Sequence, residues 1–272
     1  MNKTVNGNAV SLHFNSITDV CNYLQNNEIT KEAQALKRQN ELHPYCTGPY
    51  WESFSGTASM EAAISLLKGG WDAKAREIKG KMQKPLTGAN KGHRNVYDVV
   101  GYQACVPRYL QGIPTSMVRS VPVQKKDKII NIYKNVAYSY KISADEILEQ
   151  SLKVLNLVDR LEQDGYRVNL YVIAKAIGRR CTWQFSLRIK QSSQRLNIKQ
   201  TAFPLCHPSM LRRIMIGCVC IPEELEHKYL YGSFGAPTDV HNIEELKGEN
   251  HYFIPSFVSE KEITDINKYR AV

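Results

Sequence analysis

Two stretches of alternating hydrophobic residues, with one long amphipathic pattern between them, restrict the folds open to this chain more than any other feature. The first begins at Lys128, where Ile130 and Ile132 alternate with polar residues among β-branched and aromatic side chains, as is typical of a strand. The second follows Gly165, a residue suited to ending a helix, and continues as YRVNLYVIAKAI. Each stretch predicts a strand of a buried sheet.

The segment between the two strands predicts a helix that ends near Asp164. Ser143 and Glu146 have the three-residue spacing of a capping box, and the apolar residues from Ile147 to Leu161 fall on one helical face. Strands joined by a helix of this length run parallel, with a right-handed crossover. The sequence therefore predicts an α/β fold with a three-layer, Rossmann-like parallel sheet.

The segments around this unit predict the rest of the fold. The alternation in TWQFSLRIKQ predicts an antiparallel strand at the edge of the sheet, and Pro208 starts a second covering helix. Cap residues and apolar stripes in the first part of the chain predict helices. The predicted organisation is a helical amino-terminal region (1–85), a loop-rich connection with short strands (86–127), an α/β core (128–258) and a carboxyl-terminal helix (259–272).

Basic residues give the strongest indication of a partner. The chain has 36 Lys and Arg against 26 Asp and Glu, a net charge of +10 that attracts polyanions. The predicted nucleic-acid contacts are Lys79, Lys81, Lys84, Lys91, Arg94, Arg179, Arg180, Arg212 and Arg213, with Arg212 and Arg213 on the polar side of the Pro208 helix. Tyr97 and Tyr102 lie near these clusters and are predicted to stack on bases. Trp71 and Trp183 are candidates for the same role, but we favour a position in the core for both. A solvated charged face is the alternative interpretation of each basic cluster.

Sequence motifs for catalysis and cofactors are missing. There is no GxGxxG, no Walker lysine and no GxSxG, so we expect no nucleotide cofactor and favour a non-enzymatic role. We expect no metal, because the spacing of the candidate ligands lacks a CxxC knuckle. Those candidates are Cys206, His207, Cys218, Cys220 and His227. The seven cysteines, an odd and scattered set, favour free thiols in a reducing compartment.

Five short motifs carry a resemblance to known proteins. WESFSG, GGW, VPRYLQGIPTSM, LVDRLEQDGYRVNLY and HPSMLRR follow one another between roughly residues 48 and 216, in an order that resembles uncharacterised proteins encoded by tailed bacteriophages and prophages. The order of strands and helix also resembles a von Willebrand factor A-type domain. Such domains have a DxSxS metal loop, where this chain has Asn135, Ala137 and Ser139. Without the leading aspartate we expect no Mg²⁺ there.

Charge and resemblance together predict a phage-encoded accessory protein that binds nucleic acid, or a nucleoprotein assembly, through phosphate contacts. A structural component of the virion held by phage or host proteins is the first alternative, and a metal-dependent nuclease or other hydrolase is the second. The expected location is the cytoplasm of the bacterial host or the interior of the virion. No signal peptide or apolar run of membrane-spanning length is found, and the oligomeric state is left open.

Overall fold

Within the part of the chain that the structure describes, nine strands form two separate sheets. The structure, a computed structural model, describes residues 1–29, 31, 34, 47–82, 93–122, 128–139, 141–177, 182–225 and 248–270. The strands are β1 (Asn2–Asn6), β2 (Ala9–Phe14), β3 (His93–Asp98), β4 (Gln103–Ala104), β5 (Met117–Pro122), β6 (Lys128–Asn135), β7 (Tyr166–Ile177), β8 (Thr182–Lys190) and β9 (His251–Ile254). The six-stranded sheet has the order β1-β2-β8-β7-β6-β9, and the three-stranded sheet has the order β3-β5-β4.

The helices lie between these strands along the chain. They are α1 (Ile17–Asn26), α2 (Pro49–Ser55), α3 (Met60–Gly69), α4 (Asp72–Lys81), α5 (Val106–Leu110), α6 (Ala144–Gln163), α7 (Ile198–Cys206) and α8 (Ile216–Val219). A π-helix, Met210–Met215, runs directly into α8, and short 3-10 turns cover Glu223–Leu225 and Ile266–Tyr269. Among the described residues, no helix is both long enough and apolar enough to cross a membrane.

The predicted β-α-β unit is confirmed. β6 and β7 pair in parallel, and α6 connects them. The Ser143 hydroxyl accepts the Glu146 backbone N–H, while the Glu146 carboxylate accepts the Ser143 N–H at 2.8 Å, so both halves of the capping box form. One face of α6 is buried from Ile147 to Leu161. The α/β character of the chain is therefore established.

Two predictions about the edges of the core are wrong. β8 does pair antiparallel with β7, but it is an interior strand, because β2 pairs in parallel with its other side. The first 14 residues are not helical: β1 and β2 form a hairpin whose turn contains Gly7 at φ 58°, a left-handed conformation that glycine adopts without strain. The amino-terminal region therefore contributes a strand to the core as well as helices.

The main hydrophobic core lies on one face of the six-stranded sheet. It combines the buried residues of helices α1, α3, α4, α6 and α7 with alternate side chains of the strands, such as Val172 in β7 and Phe185 in β8. The other face carries a small cluster made of strand residues only, in which the Tyr133 ring stacks between Tyr171 and Phe253. The described helices therefore supply one layer, and the predicted second helical layer is not seen among the described residues.

The carboxyl-terminal part differs most from prediction. α7 was not predicted, since it contains Pro204, which normally interrupts a helix. The predicted Pro208 helix is a π-helix followed by α8. The predicted helix over 259–272 is reduced, in the described residues, to the 3-10 turn Ile266–Tyr269. His251–Ile254 form β9, which pairs in parallel with β6.

Candidate functional site

The predicted basic cluster in α4 is partly neutralised. The Glu77 carboxylate forms ion pairs with Lys74 and with Lys81, each at 2.7 Å. Arg76 and Lys79 are exposed on the same helix, and neither forms an ion pair with another described residue. Of the two predicted contacts in this helix, Lys79 is thus the one whose charge is open to an external anion.

The remaining predicted contacts are spread over the chain. Lys84, Lys91, Arg179 and Arg180 lie outside the described residues. The backbone of Arg94 belongs to β3, opposite Val121 of β5. The structure therefore does not bring the predicted basic residues together into one described surface.

The predicted exposure of Arg213 is wrong, because this side chain is 0% exposed. Its Nε donates to the Ser55 hydroxyl at 2.9 Å, and its Nη2 donates to the Thr57 carbonyl at 2.7 Å. The neighbouring Arg212 is half-buried, with its guanidinium 4.5 Å from the centre of the Phe54 ring. Both arginines are directed towards the turn that follows α2, and Arg213 is a core residue.

Three of the five sequence motifs meet at this place, which we call the α2 junction (residues 54–57 and 207–213). The Ser209 hydroxyl donates to the Ser55 carbonyl at 2.6 Å and lies 2.8 Å from the Thr57 hydroxyl. Trp71, from the GGW motif, contacts the His207 ring edge-on at 4.7 Å. A buried polar network with this many partners fixes the geometry of the π-helix.

The turn of the α2 junction requires a glycine at position 56. Its φ is 82°, and a Cβ at this position would lie 2.9 Å from Cε1 of His207. A side chain here would therefore be strained by the backbone and would collide with the imidazole. The close approach lets the motifs WESFSG and HPSMLRR pack directly against each other.

His207 should make the protein sensitive to acid. Burial lowers the pKa of His207 from 6.5 to about 4, and its Nδ1 accepts the Ser209 N–H at 3.0 Å. Between these pH values the unfolded chain binds a proton that the folded chain excludes, so stability falls as the pH drops from 6.5 to 4. His207→Asn keeps an acceptor at this position and should reduce the loss of unfolding free energy between pH 7 and pH 4.5 by about 2 kcal/mol.

Urea denaturation at the two pH values measures this difference. Because other groups also titrate in the range, including His13, whose pKa is lowered by burial, the comparison is between the variant and the parent protein. An equal loss of stability in both proteins would show that His207 is not the group responsible.

Exposed aromatic and aliphatic side chains concentrate in one short segment, the small-sheet module (residues 93–122). Tyr97 is 52% exposed, Tyr102 is 64% exposed and Tyr109 is 70% exposed. The other large exposed hydrophobic residues of the module are Val99, Val100, Val106 and Leu110. None of the residues of α5 is buried. Such a concentration of exposed apolar surface is characteristic of a binding surface.

Arginines accompany the tyrosines of the small-sheet module. The Arg108 guanidinium lies 4.3 Å from the centre of the Tyr97 ring, and its Nε donates to the Thr115 carbonyl at 2.9 Å. Arg119 is exposed, with its Nη1 3.4 Å from the Asp98 carboxylate. The module thus presents aromatic rings and cations together, a combination suited to stacking on bases and contacting phosphates.

A polar groove of 540 Å³ lies at the end of the sheet where β7 begins. Tyr166, Arg167 and Arg195 are among the residues that line it. The ion pair between Lys190 and Glu162, at 2.5 Å, is mostly buried beside it. The groove has charges of both signs, so it offers no clear preference for a polyanion.

The described residues contain no group of three or more His, Cys, Asp or Glu that would hold a metal ion. In the loop after β6, the Asn135 side-chain carbonyl accepts the Ala137 N–H at 2.9 Å. Cys206, Cys218 and Cys220 are buried, and His227 lies outside the described residues. Burial raises the pKa of Cys206 to about 12, which keeps it protonated.

The sequence indicated part of the exposed surface of the small-sheet module. Tyr97 and Tyr102 were predicted to stack on bases and are exposed, whereas Trp183 is buried and Trp71 packs against the core. Tyr109 and α5 were missed, although VPRYLQG has a proline at the start of a helix, a position that proline favours.

A search of curated proteins and a search of solved structures each found no match. The profile described as Domain of unknown function (DUF7192) matches residues 2–270, and the chain therefore belongs to that family.

Proposed function

We propose that the protein binds single-stranded nucleic acid, with the small-sheet module as the surface on which bases stack. The observation that carries the proposal is the joint exposure of Tyr97, Tyr102 and Tyr109 beside Arg108 and Arg119. A base stacked on an aromatic side chain contributes about 1–3 kcal/mol, largely irrespective of sequence. Arginines next to the rings contact phosphates and release counterions.

The excess of positive charge on the whole chain supports the same proposal. A net charge of +10 increases the rate of encounter with a polyanion, and the exposed Arg76 and Lys79 add cations outside the small-sheet module. A phage-encoded accessory protein with a von Willebrand A-like core would fit this role, because a phage genome offers a dense array of phosphates. Both the phage origin and the finer fold assignment are part of the proposal.

Alanine substitutions at two tyrosines test the role of the small-sheet module. Tyr102→Ala and Tyr109→Ala should each lower the affinity for a labelled single-stranded oligonucleotide by at least about fivefold, since each removes one stacking surface. Fluorescence anisotropy at several salt concentrations measures the affinity, which should fall steeply as salt increases. Tyr50→Ala is the matched control, because Tyr50 is 69% exposed but lies on α2, outside the module.

Two results would contradict the proposal. One is the absence of salt-sensitive binding at micromolar protein. The other is an equal loss of affinity in all three variants, which would show that the small-sheet module is not the binding surface.

A docking surface for a protein is the second candidate, and the aliphatic exposure of the same module favours it. Val100 and Leu110 are 69% and 78% exposed, and neither stacks on a base. A structural component of an assembly would use such side chains as anchors. Association through them should persist at high salt, unlike phosphate contacts. Size-exclusion chromatography with light scattering tests self-association, and a monomer at all salt concentrations would exclude that form of assembly.

A further inference from the structure

A polar pocket of 330 Å³ lies on the face of the six-stranded sheet opposite the main hydrophobic core. Leu12 of β2 points into that core, so its neighbours Ser11 and His13 point to the opposite face. In the parallel register of β2 and β8, Ser11 is opposite Gln184. His13 is opposite Ser186, two residues further along both strands. All four side chains line the pocket, whose volume is at the lower end of the range for small-molecule sites.

His13 and Ser186 form a close pair in this pocket. Nδ1 of His13 lies 2.6 Å from the Ser186 hydroxyl oxygen, although the two residues are 173 positions apart in the chain. Ser186 is only 2% exposed, and it lines the pocket, through which an external molecule would reach its hydroxyl. A serine hydroxyl is a weak nucleophile until a base within hydrogen-bond reach takes its proton. His13 is placed to be that base.

The surroundings of His13 favour the neutral ring that a base requires. Burial lowers the pKa of His13 from its ordinary value of 6.5, and a hydrogen bond with the Asn15 side chain partly opposes this effect. The positive charge of Arg188 lowers the pKa as well. The ring is therefore mainly neutral at pH 7 and can accept a proton from the serine.

Gln184 offers a donor for the negative charge that develops on a carbonyl oxygen under attack. Its side chain is 8% exposed, lines the pocket and forms no hydrogen bond with the other described residues. Buried amides are paired in almost all native structures, so an unpaired one at a pocket indicates a ligand. Gln184 and Ser186 are two residues apart on one face of β8, roughly 7 Å between their Cα atoms. Side-chain amides at such positions stabilise oxyanions.

We propose that Ser186 and His13 form the catalytic pair of a hydrolase that acts on small carboxylic esters. The Ser186 Oγ forms a bond to the carbonyl carbon while its proton passes to Nδ1 of His13, and Gln184 donates to the carbonyl oxygen. The bond between that carbon and the alcohol oxygen then breaks, and His13 returns the proton to the departing alcohol. Water attacks the acyl-serine next and gives a proton to His13. The carboxylic acid leaves as the Ser186 Oγ takes that proton back.

The rest of the pocket restricts the substrate. Asn2, Thr4 and Ser11 add an amide and two hydroxyls to the lining, so we expect an ester that carries polar groups rather than a long hydrocarbon chain. The activity is separate from the small-sheet module and does not depend on nucleic-acid binding. No motif such as GxSxG would reveal it, because the two catalytic side chains come from distant strands.

Reaction of the full chain with diisopropyl fluorophosphate tests the site. This small reagent phosphorylates an activated serine at its hydroxyl, with loss of fluoride and of the hydroxyl proton. Intact mass spectrometry should show one adduct per chain, and peptide mapping should place it on Ser186. The mapping is made on the parent protein, so it decides the question even if a variant fails to fold.

His13→Gln is the matching variant, because glutamine can still hydrogen-bond Ser186 but cannot take its proton. It should slow both the labelling and the hydrolysis of p-nitrophenyl acetate at least about 100-fold. Gln184→Met should slow the hydrolysis by about 100-fold. Ser65→Ala, at an exposed serine of α3, is the control and should change neither rate. No adduct in the parent, an adduct on another residue, or equal rates in His13→Gln and the parent would overturn the proposal.

Discussion

Replacing Arg213 with methionine is expected to lower the free energy of unfolding by about 3–5 kcal/mol, because it removes two hydrogen bonds from a charged donor, each worth about 1.5–3 kcal/mol. Arg213 is fully buried and donates to Ser55 and Thr57. Methionine has nearly the same length and fills the space, but it leaves the Thr57 carbonyl without this donor. Urea denaturation followed by circular dichroism measures the loss.

Arg76→Met is the matched control for this substitution. Arg76 is exposed on α4, so its replacement should change stability by less than about 0.5 kcal/mol. Arg213→Lys keeps the charge but loses the fork of donors, and we expect it to lie between the parent and Arg213→Met. If Arg213→Met were as stable as the control, the hydrogen bonds of the α2 junction would not contribute to folding.

Lys134 should make the protein more stable as the pH rises above neutrality. Burial lowers the pKa of Lys134 from 10.5 to about 7, and the positive charge of Lys153 lowers it further. Between these values the unfolded chain binds a proton that the folded chain does not, so raising the pH disfavours unfolding. The contribution should grow by about 2 kcal/mol between pH 7 and pH 9.

Lys134→Met isolates this contribution, since the buried tyrosines and cysteines titrate in the same way in both proteins. The difference in unfolding free energy between the parent and the variant should increase with pH over this range. A difference that stays constant from pH 7 to pH 9 would mean that Lys134 keeps its proton in the folded state, with the carbonyls of Pro255 and Ser256 as sufficient partners.

The local parts of the fold were predictable because their signals lie close together in the sequence. Ser143 and Glu146 are three residues apart, and the alternation that predicts β6 and β7 spans only a few residues. The position of β8 depends on β2, which is more than 160 residues away in the chain, so its own sequence could not show whether it forms an edge. Pairing between distant segments is decided by tertiary packing.

The candidate site was less predictable than the fold, and Arg213 shows why. Charged residues are rarely buried, so a sequence with two adjacent arginines indicates a solvent-exposed pair. Ser55 and Thr57, which hydrogen-bond Arg213, lie about 150 residues away, and the π-helix that presents both arginines has no recognised sequence pattern. Tyr102 was identifiable as a candidate because it follows a glycine in a segment without apolar periodicity.

Parallel pairing between β6 and β7 places the two ends of β6 in different surroundings. Lys128, at the start of β6, is opposite Tyr166 of the 540 Å³ groove, whereas Lys134, near the other end, donates to the carbonyls of Pro255 and Ser256. The eight residues of β6 extend over roughly 25 Å. Neither of these two partners of Lys134 lines the groove, so substitutions in the groove and substitutions around Lys134 should have effects on stability that add.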